Sequence, residues 1–128
     1  MKMTPSELPE EVKTTLVRLK AMGIKIAIGS SSKNAGLILQ RLGLQNFFDA
    51  VSDGNNITHS KPDPEVFLKA AGMLGEIPAE CIVVEDALAG IDAAVAGGFI
   101  PAGIGEAAGH PGTAYPLQSL PELLAVLN

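Results

Sequence analysis

Short apolar runs alternate with segments of helical periodicity along this chain, and the alternation restricts the fold more than any other feature. Ile24 to Gly29, Phe48 to Ser52, Cys81 to Val84 and Ile100 to Ile104 are brief apolar runs bounded by turn residues, each read as a buried strand. Between them the period lengthens. Val12, Leu16, Leu19 and Met22 recur at helical spacing until Gly23, and Lys33 to Leu42 carries Ile38, Leu39 and Leu42 on one face before Gly43. Asp63 as N-cap with Pro64 at the first helical position announces a helix through Leu74, stopped by Gly75. Ala87 to Ala96 reads as a helix on Leu88, Ile91 and Val95, and a capping-box pattern from Ser119 to Glu122 opens a last one through Leu127. Strands that alternate with helices of about ten residues build parallel βαβ units with right-handed crossovers, so the fold class is α/β with a parallel sheet.

At 128 residues the chain is a single domain's worth, with a real core and no room for two. With 47% hydrophobic and 18% charged residues it falls on the globular side of the boundary with disorder. A net charge of −5 and a pI near 4.9 supply no basic field for a nucleic-acid backbone or an anionic membrane, so neither is expected as a partner. Cys81 is a lone cysteine and no secretory leader pattern opens the chain, which makes the cytoplasm the expected location. The apolar stretch from Ala87 to Gly105 approaches a membrane span in length. Its Gly90, Gly97, Gly98, Pro101 and Gly103 break it into a helix, a turn and a strand instead.

Ligands of open α/β sheets bind beyond the carboxyl ends of the strands, so the chemistry is sought at Ser30 to Asn34, Asp53 to Lys61, and Glu85 with Asp86. Ser30, Ser31 and Ser32 lie between a strand and a helix start, where backbone N–H groups and hydroxyls suit phosphate. Taken alone, such a cluster more often marks a cap, here Ser32 on the helix at Lys33. Lys61 stands before Pro62 on a loop that aims its ammonium from the sheet edge, although a lone lysine is usually just solvated. Glu85 and Asp86 end an apolar strand, where paired carboxylates call for a cation such as magnesium; helix capping by Asp86 with Glu85 exposed accounts for them equally. What gives the three signals force is convergence on one sheet edge, which describes a phosphate and metal site. Gly103, Gly105 and Gly109 only superficially suggest a dinucleotide loop, and no GxxxxGK[ST] loop exists. His59 and His110 read as surface residues, and Cys81 as a small buried hydrophobe without a nearby base.

The run IKIAIGSSSKN from Ile24 to Asn34, the string SKPDP from Ser60 to Pro64, and VVEDALAGI from Val83 to Ile91 resemble, in order, the later motifs of the haloacid dehalogenase superfamily. The resemblance extends from about Thr4 to the C-terminus. SSSKN and SKPDP are most similar to β-phosphoglucomutases and related sugar-phosphate phosphatases. It implies a Rossmannoid three-layer αβα domain over residues 1–128, with Ser30 binding the transferring phosphoryl group and Lys61 neutralising it. Glu85 and Asp86 would hold Mg2+. Ser32, Lys33 and Asn34, with Ser30, would bind substrate phosphate; these three match the stretch that in mutases holds the second, non-reacting phosphate, which favours a mutase interconverting β-glucose 1-phosphate and glucose 6-phosphate.

The family's first motif, a strand ending in Asp-x-Asp that supplies the nucleophile, does not occur in these 128 residues, and neither does the helical cap domain expected beside it. The expectation is therefore a truncated core, an active phosphotransferase in a full-length parent, and a nearly inert chain in isolation. A phosphatase on phosphorylated sugars is the enzymatic alternative, and a non-catalytic α/β binding module is the alternative from another class. Because the first-motif strand lies centrally in that family, its two neighbours are expected either to close up and pair directly or to take an equivalent strand from a second chain as a homo-oligomer.

Overall fold

A computed structural model describes residues 10–30, 47–55, 57–59 and 61–127. Helix α1 (Glu10–Ala21) leads into strand β1 (Ala27–Gly29), and β2 is Ala50–Ser52. Helix α2 (Glu65–Leu74) is followed by a 3-10 turn (Pro78–Glu80), strand β3 (Ile82–Glu85) and helix α3 (Leu88–Ala96). Strand β4 (Ile100–Ile104), a second 3-10 turn (Gly105–Gly109), strand β5 (Tyr115–Leu117) and helix α4 (Glu122–Leu127) complete the order. The helix expected over Lys33 to Leu42 lies outside the described residues.

The strands form two parallel groups, β1 with β2 and β3-β4-β5. Helices cover both faces, and the alternation of side chains along β3 records it. Val83 packs with Val66, Phe67 and Ala71 of α2 and with Ala93 and Ala94 of α3, whereas Ile82 and Val84 pack with Leu19 of α1 and Leu123 of α4. This is a three-layer α/β arrangement with its core split by the sheet.

Of the three helix stops read from the sequence, Gly43 lies outside the described residues and the other two hold. Gly23 and Gly75 take φ of 80° and 70°, a backbone that a side chain would strain, and so end α1 and α2. The start of α2 falls one residue later than read: Pro64 is the N-cap and Glu65 the first helical residue, while Asp63 stands outside and its carboxylate accepts the Glu65 N–H at 2.9 Å. Other details differ. β1 and β2 are shorter than their apolar runs, and β3 is shifted by one residue so that Glu85 closes the strand instead of following it. β5 was not anticipated, because a three-residue run containing Pro116 carries almost no strand signal. The glycines at 103, 105 and 109 belong to the end of β4 and the 3-10 turn, with no dinucleotide loop.

The direct pairing considered for the strands ending at Ser30 and Glu85 is not seen. β1 and β3 belong to separate sheets, with a groove of about 820 Å³ between them. No helix among the described residues is long and apolar enough to cross a membrane.

Candidate phosphate-handling site

Lys61 joins the two sheets at their carboxyl ends. Its ammonium donates to Glu85 Oε1 at 2.8 Å and to the Gly29 carbonyl at 3.3 Å, so the last residues of β1 and β3 meet at one cation. The same ammonium lies 4.8 Å from the centroid of Phe67, and Phe67 meets Phe99 edge-to-face at 6.1 Å. These contacts shield the ion pair on one side. Lys61 and Glu85 side chains are only 19% and 12% exposed. Screening by water is correspondingly weak, and the pair fixes the ammonium at the groove that Ser30 also lines.

Ser30 is half-buried at the end of β1, with its N–H donating to the Ser52 carbonyl at 2.9 Å. It lines the groove together with Lys61 and Glu85, so those three sequence candidates come together as expected. Asp86 is exposed beyond the strand end. Ser32, Lys33 and Asn34 lie outside the described residues.

Glu85 depends on a residue that sequence reasoning overlooked. A Cβ placed on Gly90 would sit 2.1 Å from the Glu85 carboxyl group, so the first turn of α3 passes the carboxylate only because position 90 has no side chain. The second carboxylate oxygen accepts the Ala87 N–H at 3.3 Å. Glu85 thus caps the approach to α3 with one oxygen and holds Lys61 with the other. The glycine within EDALAGI was the available signal.

A second network shapes the loop that carries Lys61. The Glu65 carboxylate accepts the backbone N–H groups of Thr58 and His59 at 2.9 and 2.7 Å and the Thr58 hydroxyl at 3.1 Å. These bonds, the one from His59 foremost, hold its carboxyl below the ordinary range against an opposing contribution from burial; Lys69 adds to the lowering. Thr58, His59 and Pro62 to Pro64 surround an open depression there, and the Lys61–Pro62 peptide is cis. His59 is exposed, as expected, but His110 is not a free surface residue: it is only 17% exposed and pairs with Asp92 at 2.7 Å. Cys81 is half-buried, and its thiol is pushed up by burial and by the negative charges of Glu76 and Glu80.

Magnesium takes oxygen ligands in octahedral geometry, keeping water where protein oxygens run out. Among the described residues no group of three or more potential metal ligands occurs. Glu85 and Asp86 offer the right donor type, but one Glu85 oxygen is committed to Lys61. The donors described here do not by themselves make a magnesium site.

The chain belongs to the haloacid dehalogenase-like hydrolase family, whose model matches residues 2–98. It is 43% identical over 105 residues to β-phosphoglucomutase of Bacillus subtilis, covering 82% of this chain and 46% of that protein. It is 44% identical over 74 residues to the fructose-1-phosphate phosphatase YqaB of Escherichia coli, covering 58% and 39%. Among solved structures, β-phosphoglucomutase of Clostridium difficile superposes with a TM-score of 0.86 at 33% identity over 94% of this chain and 54% of that one. A phosphatase of the family from Thermococcus onnurineus gives 0.88 at 28% identity, covering 97% and 60%. The chain spans less than half the length of these curated relatives.

Proposed function

We propose that this chain supplies the charge-neutralising half of a phosphotransfer site acting on phosphorylated sugars, and that in a complete assembly the reaction is that of a β-phosphoglucomutase. The observation that carries the proposal is the Lys61 ammonium, fixed by Glu85 and the Gly29 carbonyl next to Ser30. Phosphoryl transfer depends on positioning and on neutralising charge spread over the equatorial oxygens, with little covalent chemistry asked of the surroundings.

In this assignment Lys61 faces the transferring phosphoryl group, and the Ser30 hydroxyl donates to one of its oxygens. Glu85 keeps the ammonium in place. The attacking carboxylate comes from a segment other than these 128 residues, because no Asp-x-Asp motif occurs in them. Mg2+, which enzymes of this family generally use, would be held through Asp86, with Glu85 as a further carboxylate, and would neutralise phosphate charge. Ser32, Lys33 and Asn34 are assigned to the second phosphate of a bisphosphate intermediate. A sugar-phosphate phosphatase is the second reading, favoured by the similarity to the fructose-1-phosphate enzyme.

The test combines the purified chain with the part of the Bacillus subtilis relative that it does not match, supplied as a separate polypeptide. β-Glucose 1-phosphate and magnesium are then added. Glucose 6-phosphate supports the mutase, and inorganic phosphate without isomerisation supports the phosphatase. Robust turnover by the chain alone would overturn the assignment of an external nucleophile.

A further inference from the structure

Two glycines make room for two aromatic rings. A Cβ placed on Gly29 would lie 2.7 and 2.9 Å from Cδ1 and Cε1 of Phe67, and one placed on Gly97 would lie 2.7 and 2.9 Å from Cε2 and Cδ2 of Phe99. Neither glycine takes a positive φ, so what the fold uses at these positions is the missing side chain and not the freedom of the backbone. Phe67 thereby comes close against the last residue of β1, and Phe99 meets it edge-to-face. Both rings are 7% exposed, and at such packing Phe67 has little room to turn or slide.

The Lys61 ammonium lies over the Phe67 ring, so Gly29 serves it twice: its carbonyl accepts from the ammonium, and its bare Cα admits the ring. An ammonium carries three N–H donors, and among the described residues Glu85 and the Gly29 carbonyl are the oxygens that accept from this one. The ring face attracts the cation through its quadrupole while adding neither a formal charge nor an acceptor oxygen. An aliphatic side chain in its place would strip water from the ammonium and return no attraction. A single carboxylate contact at the end of a flexible four-carbon stem would leave the ammonium free to swing about it.

We propose that Phe67 is the positioning residue of Lys61. Its ring face closes one flank of the ammonium, so that the donor left over by Glu85 and Gly29 serves the groove that Ser30, Lys61 and Phe67 line together, where a phosphoryl oxygen accepts it. The identity of that anion rests on the functional proposal above; the grip of the ring on the ammonium does not. Phosphoryl transfer asks its surroundings chiefly for positioning and charge, and a displaced ammonium loses both. Gly29 and Phe67 therefore belong to one device, with Phe99 as the support behind the ring.

The experiment replaces Phe67 in the full chain by phenylalanines carrying one, two and three ring fluorines, which drain negative charge from the ring face with little change of shape. Urea denaturation should show the folding equilibrium constant falling stepwise along the series, by about threefold or more at the last member. In a Lys61→Met chain the decline should vanish, although the contact with Phe99 is the same in both backgrounds. In the mixture with the unmatched part of the Bacillus subtilis relative, the series should lower kcat with little change in KM, the mark of an interaction that counts in the transition state. A flat series, or one that declines equally without Lys61, overturns the proposal and leaves Phe67 as packing. A decline that depends on Lys61 but leaves kcat untouched in an active mixture overturns it too, because the ring then holds the ammonium without serving the reaction. If the native chain itself gives no turnover in the mixture, the functional reading falls, and the series with and without Lys61 alone decides for or against the grip.

Discussion

The Lys61 ammonium and the Glu85 carboxylate meet at 2.8 Å although the residues stand 24 positions apart in the chain. One comes from the loop after β2 and the other from the end of β3, so their contact fastens the two sheets across the groove at the edge where phosphate is expected to bind.

Breaking this pair should cost more than an exposed salt bridge. Both side chains are largely shielded, and Glu85→Gln leaves the ammonium with a neutral partner. A loss of about 1–3 kcal/mol is expected in urea denaturation. In a double-mutant cycle with Lys61→Met the coupling should be roughly 0.5–3 kcal/mol. Coupling near zero would reduce the pair to an ordinary surface contact.

Gly90→Ala should destabilise the chain in spite of the better helix propensity of alanine. The added methyl would meet the Glu85 carboxyl at 2.1 Å and force it away from Lys61. In a Glu85→Ala background the obstruction is gone, and the same substitution should become neutral or gain up to about 1 kcal/mol. Thermal melts of the four variants report this reversal of sign. Equal effects in both backgrounds would mean that position 90 does not act through Glu85.

Acid should remove the contribution of Glu65. Its folded carboxyl is held below the ordinary range, so the proton binds the unfolded chain more readily. The stabilisation is complete above the unfolded carboxylate pKa of about 4.3 and disappears as pH falls through the lower folded value. The stability gap between the native chain and Glu65→Gln should hold steady from neutral pH to about 5 and narrow below that. A gap that widens on acidification would contradict the network at Thr58 and His59.

Alkylation of Cys81 by iodoacetamide should be slow at neutral pH and rise with a midpoint above the ordinary thiol value of about 8.5. Burial and the charges of Glu76 and Glu80 disfavour the thiolate. Replacing both glutamates by glutamine should lower the midpoint. Fast alkylation at neutral pH would make Cys81 a reactive thiol, against its reading as a small hydrophobe.

By itself the sequence determined the class of fold and the ends of its helices. A period of two or of 3.6 is a local property, and Gly23, Gly75 and Asp63 act on the backbone within a turn of themselves. It also marked Ser30, Lys61 and Glu85, since residues that follow apolar strands in βαβ units share one edge. Only the tertiary structure decided what those residues do to each other. That Glu85 grips Lys61, that Gly90 leaves room for it, and that β1 and β3 stand apart around a groove are relations between segments far apart in the chain. No local periodicity encodes them, because they arise only when crossovers bring distant strand ends together and packing decides which side chains have space.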